Sequence, residues 1–354
     1  PVVLAGAGIN HSKSNALLTE FVTQHQIPVV TTLLGLGAIS YENPLFLGMG
    51  GMHGSYASNM ALTECDLLIN LGSRFDDRLA SNPNEFAPNA KVVHIDIDES
   101  EINKVIPTTL GIVADCKKVL EALVTEHQSH ATYKEWVDHC LDNKSKHPFK
   151  YKEANDTFCR PQEAIEYIGK ITNGEAIVTT DVGQHQMWSA QFYPFKHHSQ
   201  WVTSGGLGTM GFGIPSAIGA QLAAPDKTVV CFVGDGGFQM TNQEMALLPE
   251  YHLNVKIILI NNGTLGMVKQ WQDKFFNQRF SHSVFNDQPD FIKMAEAYGV
   301  KSFLIDHPNK LKAQLDEAFN YEGPALIEVR ISPAEPVNPM IPSGKANHEM
   351  EGLE

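Results

Sequence analysis

The chain is short of positive charge and lacks any long hydrophobic run. Its 354 residues include 26 lysines and arginines against 40 aspartates and glutamates, which gives a formal net charge of −14 at pH 7. Because nucleic-acid binding needs a basic surface, this deficit argues against a nucleic-acid partner. The longest apolar runs have the length of a β-strand, well short of the roughly 20 residues that cross a bilayer, so no membrane partner is predicted.

Cysteine is also scarce. The five cysteines are scattered along the chain, at Cys65, Cys116, Cys140, Cys159 and Cys231, and none stands in a Cys-x-x-Cys pair. That pattern argues against a zinc ribbon and against a disulfide framework. We expect reduced thiols in the core of a cytoplasmic protein.

What the chain does contain is a repeated alternation of apolar strand patterns and helical patterns. Hydrophobic residues make up 43% of the sequence and charged residues 19%, which suits a folded protein with real cores. Repeated strand–helix units predict an α/β fold with two doubly wound parallel-sheet domains. We place the first domain at residues 1–128, a linker at 129–159, the second domain at 160–332 and a tail at 333–354. The sequence begins on a strand pattern without an initiator methionine, so we expect it to be a piece of a longer polypeptide.

Two polar residues at strand ends carry most of the functional signal. An apolar run ends in Gly-Asp235-Gly, and the next apolar run ends at Asn262, 27 residues later. One strand–helix–strand unit fills that gap, so both polar tips should meet at the same edge of a parallel sheet. Carboxylate and amide oxygens suit Mg²⁺, which usually also binds water and phosphate. The flanking glycines let the backbone approach a diphosphate. This pattern indicates a thiamine diphosphate enzyme, with two ordinary strand–helix turns as the alternative.

Further loops fit the same edge of the sheet. A glycine-rich stretch follows Thr203, and Gln184 and His185 begin a helix after another strand, where free N–H groups suit an anion. Met267 and Trp271 are spaced to share one helix face, so they either pack in the core or line a substrate pocket.

The first domain offers weaker signals. Gly6-Ala-Gly8 resembles the start of a dinucleotide loop but lacks its third glycine. Arg74 and Arg78 flank an acidic pair at a strand end and could form a surface salt-bridge cluster or clasp a phosphate. Asp96, at the end of another strand, could hold a ribose or ribityl hydroxyl.

These motifs, taken in order, resemble the catalytic subunit of acetohydroxyacid (acetolactate) synthase over nearly the whole chain. The resemblance is carried by the following stretches: Leu33-Leu-Gly-Leu-Gly-Ala, Leu47-Gly-Met-Gly-Gly-Met-His-Gly, Arg74-Phe-Asp-Asp-Arg, Gly183-Gln-His-Gln-Met-Trp, Gly205-Gly-Leu-Gly-Thr-Met-Gly, Gly234-Asp-Gly, and Asn261-Asn262 followed by Gly266-Met-Val-Lys-Gln-Trp-Gln. Two of these stretches, Arg74-Phe-Asp-Asp-Arg and Gly266-Met-Val-Lys-Gln-Trp-Gln, narrow the resemblance to the biosynthetic, FAD-containing type.

The resemblance implies an enzyme that condenses two 2-ketoacids with loss of CO₂. Its substrates would be pyruvate with a second pyruvate or with 2-ketobutyrate, and its products the precursors of valine, leucine and isoleucine. The implied cofactors are thiamine diphosphate, Mg²⁺ and FAD, with FAD largely structural. The implied partners are a second copy in a homodimer or tetramer and a small regulatory subunit.

Site residues carry over by motif. The implied metal ligands are Asp235, Asn262 and the carbonyl of Thr264. The implied thiamine diphosphate contacts are Gln184, His185, Gly208, Met210, Asp235, Gly236, Gly237, Asn262, Leu265, Gly266 and Met267. Met267 and Trp271 match the substrate pocket. The implied FAD contacts are Gly6, Ala7, Gly8, Met52, His53, Gly72, Ser73, Arg74, Asp76, Arg78, Asp96, Ile97, Asp115, Gln186 and Met187.

The chain departs from the family pattern in two respects. The family's N-terminal domain, whose glutamate activates the cofactor from the partner subunit, has no counterpart here, so we expect the 354 residues alone to be inactive. At individual positions, Gly236-Gly237 is a more glycine-rich version of the residues that follow the metal aspartate, and Thr264 and Leu265 replace more polar residues found in some relatives. The alternative functions are those of a pyruvate oxidase, of an FAD-free catabolic acetolactate synthase, or of a non-catalytic cofactor-binding module.

Overall fold

The computed structural model describes residues 1–125, 132–152 and 157–353. It divides into two compact units. The first unit comprises Pro1–Lys150, Phe195–Ser199 and Asn338–Glu354, and the second comprises Tyr151–Pro194 and Gln200–Val337. The domain boundaries drawn from the sequence stay predictions. Residues 126–128 of the predicted first domain, parts of the predicted linker (129–131 and 153–156) and Glu354 lie outside the described residues.

The first unit is built on a six-stranded parallel sheet with the order β3-β2-β1-β4-β5-β6. Its strands are β1 (Val2–Ala5), β2 (Val29–Thr31), β3 (Phe46–Met49), β4 (Leu67–Leu71), β5 (Lys91–Asp96) and β6 (Leu110–Val113). Its helices are α1 (Ala7–His11), α2 (Asn15–His25), α3 (Tyr56–Glu64), α4 (Cys116–Thr125) and α5 (Lys134–Lys146).

Helices cover both faces of this sheet because alternate strand residues point to opposite sides. In β1, Val2 and Leu4 belong to one buried apolar cluster, whereas Val3 and Ala5 belong to another. Helix α5, which falls in the predicted linker, buries Cys140 in the first cluster.

The sequence patterns did not predict β3. This strand is only four residues long, Gly48 adopts a positive φ of 119°, and its register against β2 shifts between Val29 and Val30. A short apolar run that contains a glycine is a weak sequence signal for a strand.

The second unit has its own six-stranded parallel sheet, ordered β11-β12-β10-β9-β7-β8. Its strands are β7 (Ile177–Thr180), β8 (Trp201–Thr203), β9 (Val229–Gly234), β10 (Val255–Asn261), β11 (Lys301–Ile305) and β12 (Ala325–Arg330). Its helices are α6 (Pro161–Ile171), α7 (Gln184–Phe192), α8 (Gly213–Ala223), α9 (Asp235–Thr241), α10 (Leu247–Glu250), α11 (Gly266–Phe275), α12 (Phe291–Ala297) and α13 (Leu311–Asn320). Two parallel sheets flanked by helices confirm the predicted α/β fold.

Each sheet contains a point where the chain reverses its direction of travel across the sheet. From β1 the chain adds β2 and β3 on one side and then places β4 on the other. From β7 it adds β8 on one side and then places β9 on the other. At such points the loops at the carboxyl ends of the two strands turn apart and leave a crevice, where ligands of open α/β sheets bind.

Two predictions from composition can be compared with this structure. All five cysteines are buried and unpaired, and burial raises the pKa of each thiol to about 12, so they are unreactive. Among the helices of the described chain, none has the length and hydropathy required to span a bilayer.

One charged side chain lies inside the second sheet, away from the strand ends that bear the polar tips. Lys256, near the start of β10, is 1% exposed, and its Nζ donates to the carbonyls of Tyr321 (2.6 Å) and Gly323 (2.8 Å). Burial lowers the pKa of Lys256 to about 8, because its ammonium has lost water.

We predict that this lysine makes stability depend on alkaline pH. Between the folded pKa of about 8 and the ordinary value near 10.5, the unfolded chain binds the extra proton, so stability rises with pH. The free energy of unfolding of the wild type minus that of Lys256→Met should increase by about 2 kcal/mol from pH 7.5 to 9.5 in urea titrations. Lys301→Met, an exposed strand lysine, is the control and should show no such change. A constant difference for Lys256→Met would contradict the prediction.

Candidate functional site

The crevice between β7 and β9 gathers most of the residues implied for thiamine diphosphate. Strand β9 is buried throughout, and α9 begins at Asp235 directly after it, so the carboxylate lies at the sheet edge. The next strand, β10, ends at Asn261, which places Asn262 in the adjoining turn. The cleft here is lined by Val182, Gly183, Gln184, His185, Trp188, Met210, Gly234, Asp235, Gly236, Gly237, Ile260, Asn262, Thr264, Leu265, Gly266, Met267 and Val268.

Asp235 is the carboxylate of this cleft and is only 1% exposed. Its Oδ1 accepts a hydrogen bond from the backbone N–H of Gly236 (2.9 Å), and its Oδ2 accepts one from Nε2 of Gln288 (2.7 Å). Burial raises the pKa of Asp235 to about 6, and the amide donors around it oppose that rise. A desolvated carboxylate held by neutral amide donors is suited to a bound cation.

Asn262 presents a second oxygen at the same edge. Its Oδ1 accepts from the backbone N–H of Thr264 (3.1 Å) and from Thr264 Oγ1 (3.0 Å), while its Nδ2 donates to Gln184 Oε1 (3.1 Å). These contacts fix which end of the amide is the oxygen. Within the described residues, no three histidine, cysteine or acidic side chains cluster as a metal site. The oxygens of Asp235, Asn262 and Thr264 therefore fit Mg²⁺ with water and phosphate as further ligands, and do not suit a metal bound by side chains alone.

The glycines of the site are required by close packing between its loops. A Cβ on Gly237 would lie 2.3 Å from Asp181 Oδ1, and one on Gly234 would lie 2.9 Å from His185 Nδ1. A Cβ on Gly266 would lie 2.0 Å from Gln184 Oε1. Because real Cβ atoms do not approach so closely, any side chain at these positions would push the loops apart.

Asp181 organises the cleft, although the sequence analysis did not single it out as a site residue. It is 1% exposed, and its Oδ2 accepts from the backbone N–H groups of Gly211 (2.8 Å) and Gly213 (3.0 Å). These N–H groups lie at and just before the start of α8, where a carboxylate is stabilised by the helix dipole. Asp181 thus holds the glycine-rich loop against the end of β7. The only sequence signal that could have marked Asp181 as a site residue is its position directly after a strand.

His185 offers a buried atom with unused hydrogen-bonding capacity. Its ring is 6% exposed, and in the described part of the chain Nε2 has no hydrogen-bond partner. Burial holds the pKa of His185 well below its usual range, so the imidazole is neutral at physiological pH. An unpartnered nitrogen beside the cleft suits a polar group of a bound ligand.

Gln270 is a further residue that the sequence analysis did not assign. Its Oε1 accepts from Nε2 of Gln184 (2.8 Å) and from the backbone N–H of Val337 (2.9 Å), and its Nε2 donates to the carbonyl of Val337 (3.1 Å). Gln184 Nε2 also donates to the carbonyl of Glu335 (3.0 Å). The segment 335–337 is therefore fastened to the same glutamine that orients Asn262.

Two of the residues implied by the resemblance, Trp271 and Gly208, do not line the cleft. Met267 lines the cleft from α11, but Trp271 does not. Instead, the Trp271 ring packs edge to face against Phe275, with 5.4 Å between the ring centroids. Gly208, with a φ of +64°, is likewise outside the lining set, although Met210 from the same loop is within it.

In the first unit, the crevice between β1 and β4 brings together the glycines implied for FAD. A Cβ on Gly6 would lie 2.1 Å from the carbonyl oxygen of Gly72, and one on Gly8 would lie 2.7 Å from the Gly72 Cα. Ser73 is 4% exposed, and its Oγ lacks a hydrogen-bond partner among the described residues. An orphaned buried hydroxyl at a topological switch point fits a polar ligand such as a dinucleotide.

The other residues implied for FAD follow strands of the same sheet or lie on α7. Ala7 begins α1, and Met52 and His53 follow β3. Asp96 ends β5, Ile97 comes directly after it, and Asp115 follows β6. The backbone N–H of Met52 donates to the carbonyl of Arg78 (2.7 Å), and the side chains of Arg74 and Arg78 are exposed. Asp76 Oδ1 accepts from the N–H of Arg78 (2.9 Å), so this carboxylate also stabilises its own turn.

In the second unit, Gln186 and Met187 lie on α7, where Gln186 Nε2 donates to Thr203 Oγ1 (2.7 Å).

Comparison with known proteins agrees with this geometry. Residues 1–123 match the central domain of thiamine pyrophosphate enzymes, and residues 181–329 match their C-terminal TPP binding domain. Together these matches cover most of the chain, which therefore belongs to the thiamine pyrophosphate enzymes.

Within that class, the chain is homologous over its whole length to acetolactate synthase large subunits. It is 54% identical to the acetolactate synthase large subunit of Lactococcus lactis over 353 residues, and 41% identical to the isozyme 2 large subunit of Escherichia coli over 350 residues. It is 39% identical to a probable acetolactate synthase large subunit of Methanococcus aeolicus. These alignments span 99–100% of this chain but only 61–63% of the relatives.

We predict that Gly266→Ala weakens thiamine diphosphate binding without unfolding the protein. The new methyl group would displace Gln184 and Asn262, since it falls 2.0 and 2.6 Å from their side-chain atoms. Loss of one or two hydrogen bonds corresponds to about a tenfold rise in the dissociation constant, measured by calorimetric titration at saturating Mg²⁺. Gly219→Ala on α8, where a Cβ meets nothing within 4 Å, is the matched control. Equal affinities for the two variants would contradict the prediction.

Proposed function

We propose that this chain supplies the cofactor-binding part of an acetolactate synthase. The enzyme would join pyruvate to a second pyruvate or to 2-ketobutyrate, with loss of CO₂, in the synthesis of branched-chain amino acids. The observation that carries this proposal is the convergence of Asp235, Asn262 and Thr264 at a glycine-lined switch point, in a chain homologous to acetolactate synthase large subunits. Mg²⁺ would be held by these three residues, and thiamine diphosphate would supply the electron sink for decarboxylation.

The chain's own residues would bind and orient the reactants. Gln184 and His185 face the cleft from the start of α7, where backbone N–H groups favour a diphosphate. Met210 and Met267 give it apolar walls, which exclude water from the reacting centre. Trp271 lies one turn further along α11 and would contact an acceptor that extends past Met267.

FAD binding is a separate part of the proposal. The glycine-lined crevice of the first unit and the orphaned hydroxyl of Ser73 support a dinucleotide site there. We propose that FAD binds there in a largely structural role. We further propose a cytoplasmic homodimer or tetramer with a small regulatory subunit, on the strength of the family resemblance.

The metal assignment can be tested with Asp235→Ala in the full-length protein. Removing a direct ligand should cost more than the 10–100-fold typical of changes in outer-shell residues, so we expect Mg²⁺-dependent thiamine diphosphate binding to weaken by at least about 100-fold. Asp287→Ala removes an exposed carboxylate 52 residues further along the chain and serves as the control. An unchanged Mg²⁺ requirement in Asp235→Ala would refute the assignment.

The reaction itself can be tested by product analysis. The full-length protein with pyruvate, thiamine diphosphate, Mg²⁺ and FAD should release CO₂ and form acetolactate, whereas the 354 residues alone should form none. That second expectation follows from the activating glutamate, which the resemblance places on a domain without a counterpart in this sequence. Acetolactate formation by the 354 residues alone would contradict it, and a full-length protein that forms no acetolactate would contradict the proposed reaction.

A further inference from the structure

Hydrogen-bond donors reach both oxygens of the Asp235 carboxylate, and the backbone N–H groups of Gly263 and Thr264 add to them. Oδ1 accepts from the backbone N–H of its neighbour Gly236, a contact that α9 itself supplies. Oδ2 accepts from the side chain of Gln288, which lies 53 residues further along the chain. Since a carboxylate oxygen has two lone pairs, the hydrogen bond from Gln288 occupies only one of those on Oδ2. The Gln288 contact therefore fixes the plane of the carboxylate without using up its capacity to bind a metal.

Gln288 belongs to a loop that folds back over the turn following β10. The backbone N–H of Leu265 donates to the carbonyl of Ser283 (2.8 Å), and the N–H of Phe285 donates to the carbonyl of Gly263 (2.9 Å). Thr264 and Val284 thereby pair as an antiparallel bridge. The loop thus contacts the turn that carries Thr264 and then delivers Gln288 to Asp235.

The loop is fastened to α11 as well. Gln272 Oε1 accepts from Ser283 Oγ (2.5 Å), and Gln272 Nε2 donates to the carbonyl of Ser281 (3.1 Å). Ser283 is fully buried, whereas its neighbours His282 and Val284 are exposed. Specific hydrogen bonds, more than apolar burial, therefore hold this loop in place.

We propose that Gln288 is a positioning residue that orients Asp235 for Mg²⁺, an inference that rests on the proposed function. Side chains that hydrogen-bond a metal ligand fix its orientation, and their loss commonly weakens metal binding 10–100-fold. Gln288 is not among the residues lining the thiamine cleft. Its removal should therefore affect the metal more than the cofactor.

The test uses Mn²⁺ as a spectroscopic substitute for Mg²⁺ in the full-length protein. Electron paramagnetic resonance of free Mn²⁺, at a fixed saturating concentration of thiamine diphosphate, gives the metal dissociation constant. We expect Gln288→Ala to raise that constant about tenfold. The thiamine diphosphate affinity at saturating Mg²⁺ should stay within about twofold of wild type, because the cleft lining is intact. Asn286→Ala, an exposed amide on the same loop, is the matched control and should bind Mn²⁺ as the wild type does.

Three results would overturn the inference alone. Unchanged or tighter Mn²⁺ binding by Gln288→Ala would mean that Gln288 does not support the metal or that it competes with it. An equal loss in Asn286→Ala, or a parallel loss of thiamine diphosphate affinity in Gln288→Ala, would assign the effect to general disruption of the loop. A wild-type protein that binds neither Mn²⁺ nor thiamine diphosphate would overturn the proposed function as well.

Discussion

The candidate site depends on the divergence of the connections that follow two neighbouring parallel strands. Strand β7 is followed by β8 on one side, and β9 lies on its other side. The loops after β7 and β9 therefore turn apart and leave a crevice in which backbone and side chains can face a ligand at the sheet edge. Gln184 and His185 arrive from the first loop and Asp235 from the second. The same order in the other sheet places Gly6 and Gly72 on either side of the β1–β4 crevice.

Close loop packing converts that topology into a specific set of contacts. Asp181 accepts from the glycine-rich loop and lies where Gly237 would carry a side chain. Gln184 connects Asn262 to Gln270 and to the carbonyl of Glu335. Buried polar groups are costly unless they are hydrogen-bonded, so a chain of amides that satisfies itself also fixes the orientation of each member.

The sequence predicted the parts of the site that depend on local spacing. Asp235 and Asn262 could be paired because one strand–helix–strand unit separates them, and a parallel sheet brings the ends of its strands to one edge. The sequence did not predict Gln288 or Gln270 as site residues, because their partners lie 53 and 86 residues away and nothing local marks an amide as a neighbour of a carboxylate. Strand β3 was missed for a different reason, since it is only four residues long and contains Gly48.

The glycines of the cleft show that a glycine-rich motif can have two physical explanations. Glycine near a diphosphate is usually attributed to the close approach of the ligand. Here Gly234, Gly237 and Gly266 are required by protein atoms already present, since a Cβ would meet His185, Asp181 or Gln184. Close approach of a ligand would shape the site for that ligand, whereas close packing of protein atoms fixes the loops before any ligand binds. Gln184 and His185 also line the cleft, and Asp181 holds its glycine-rich loop. Loop packing and cofactor recognition therefore cannot be changed independently at these positions.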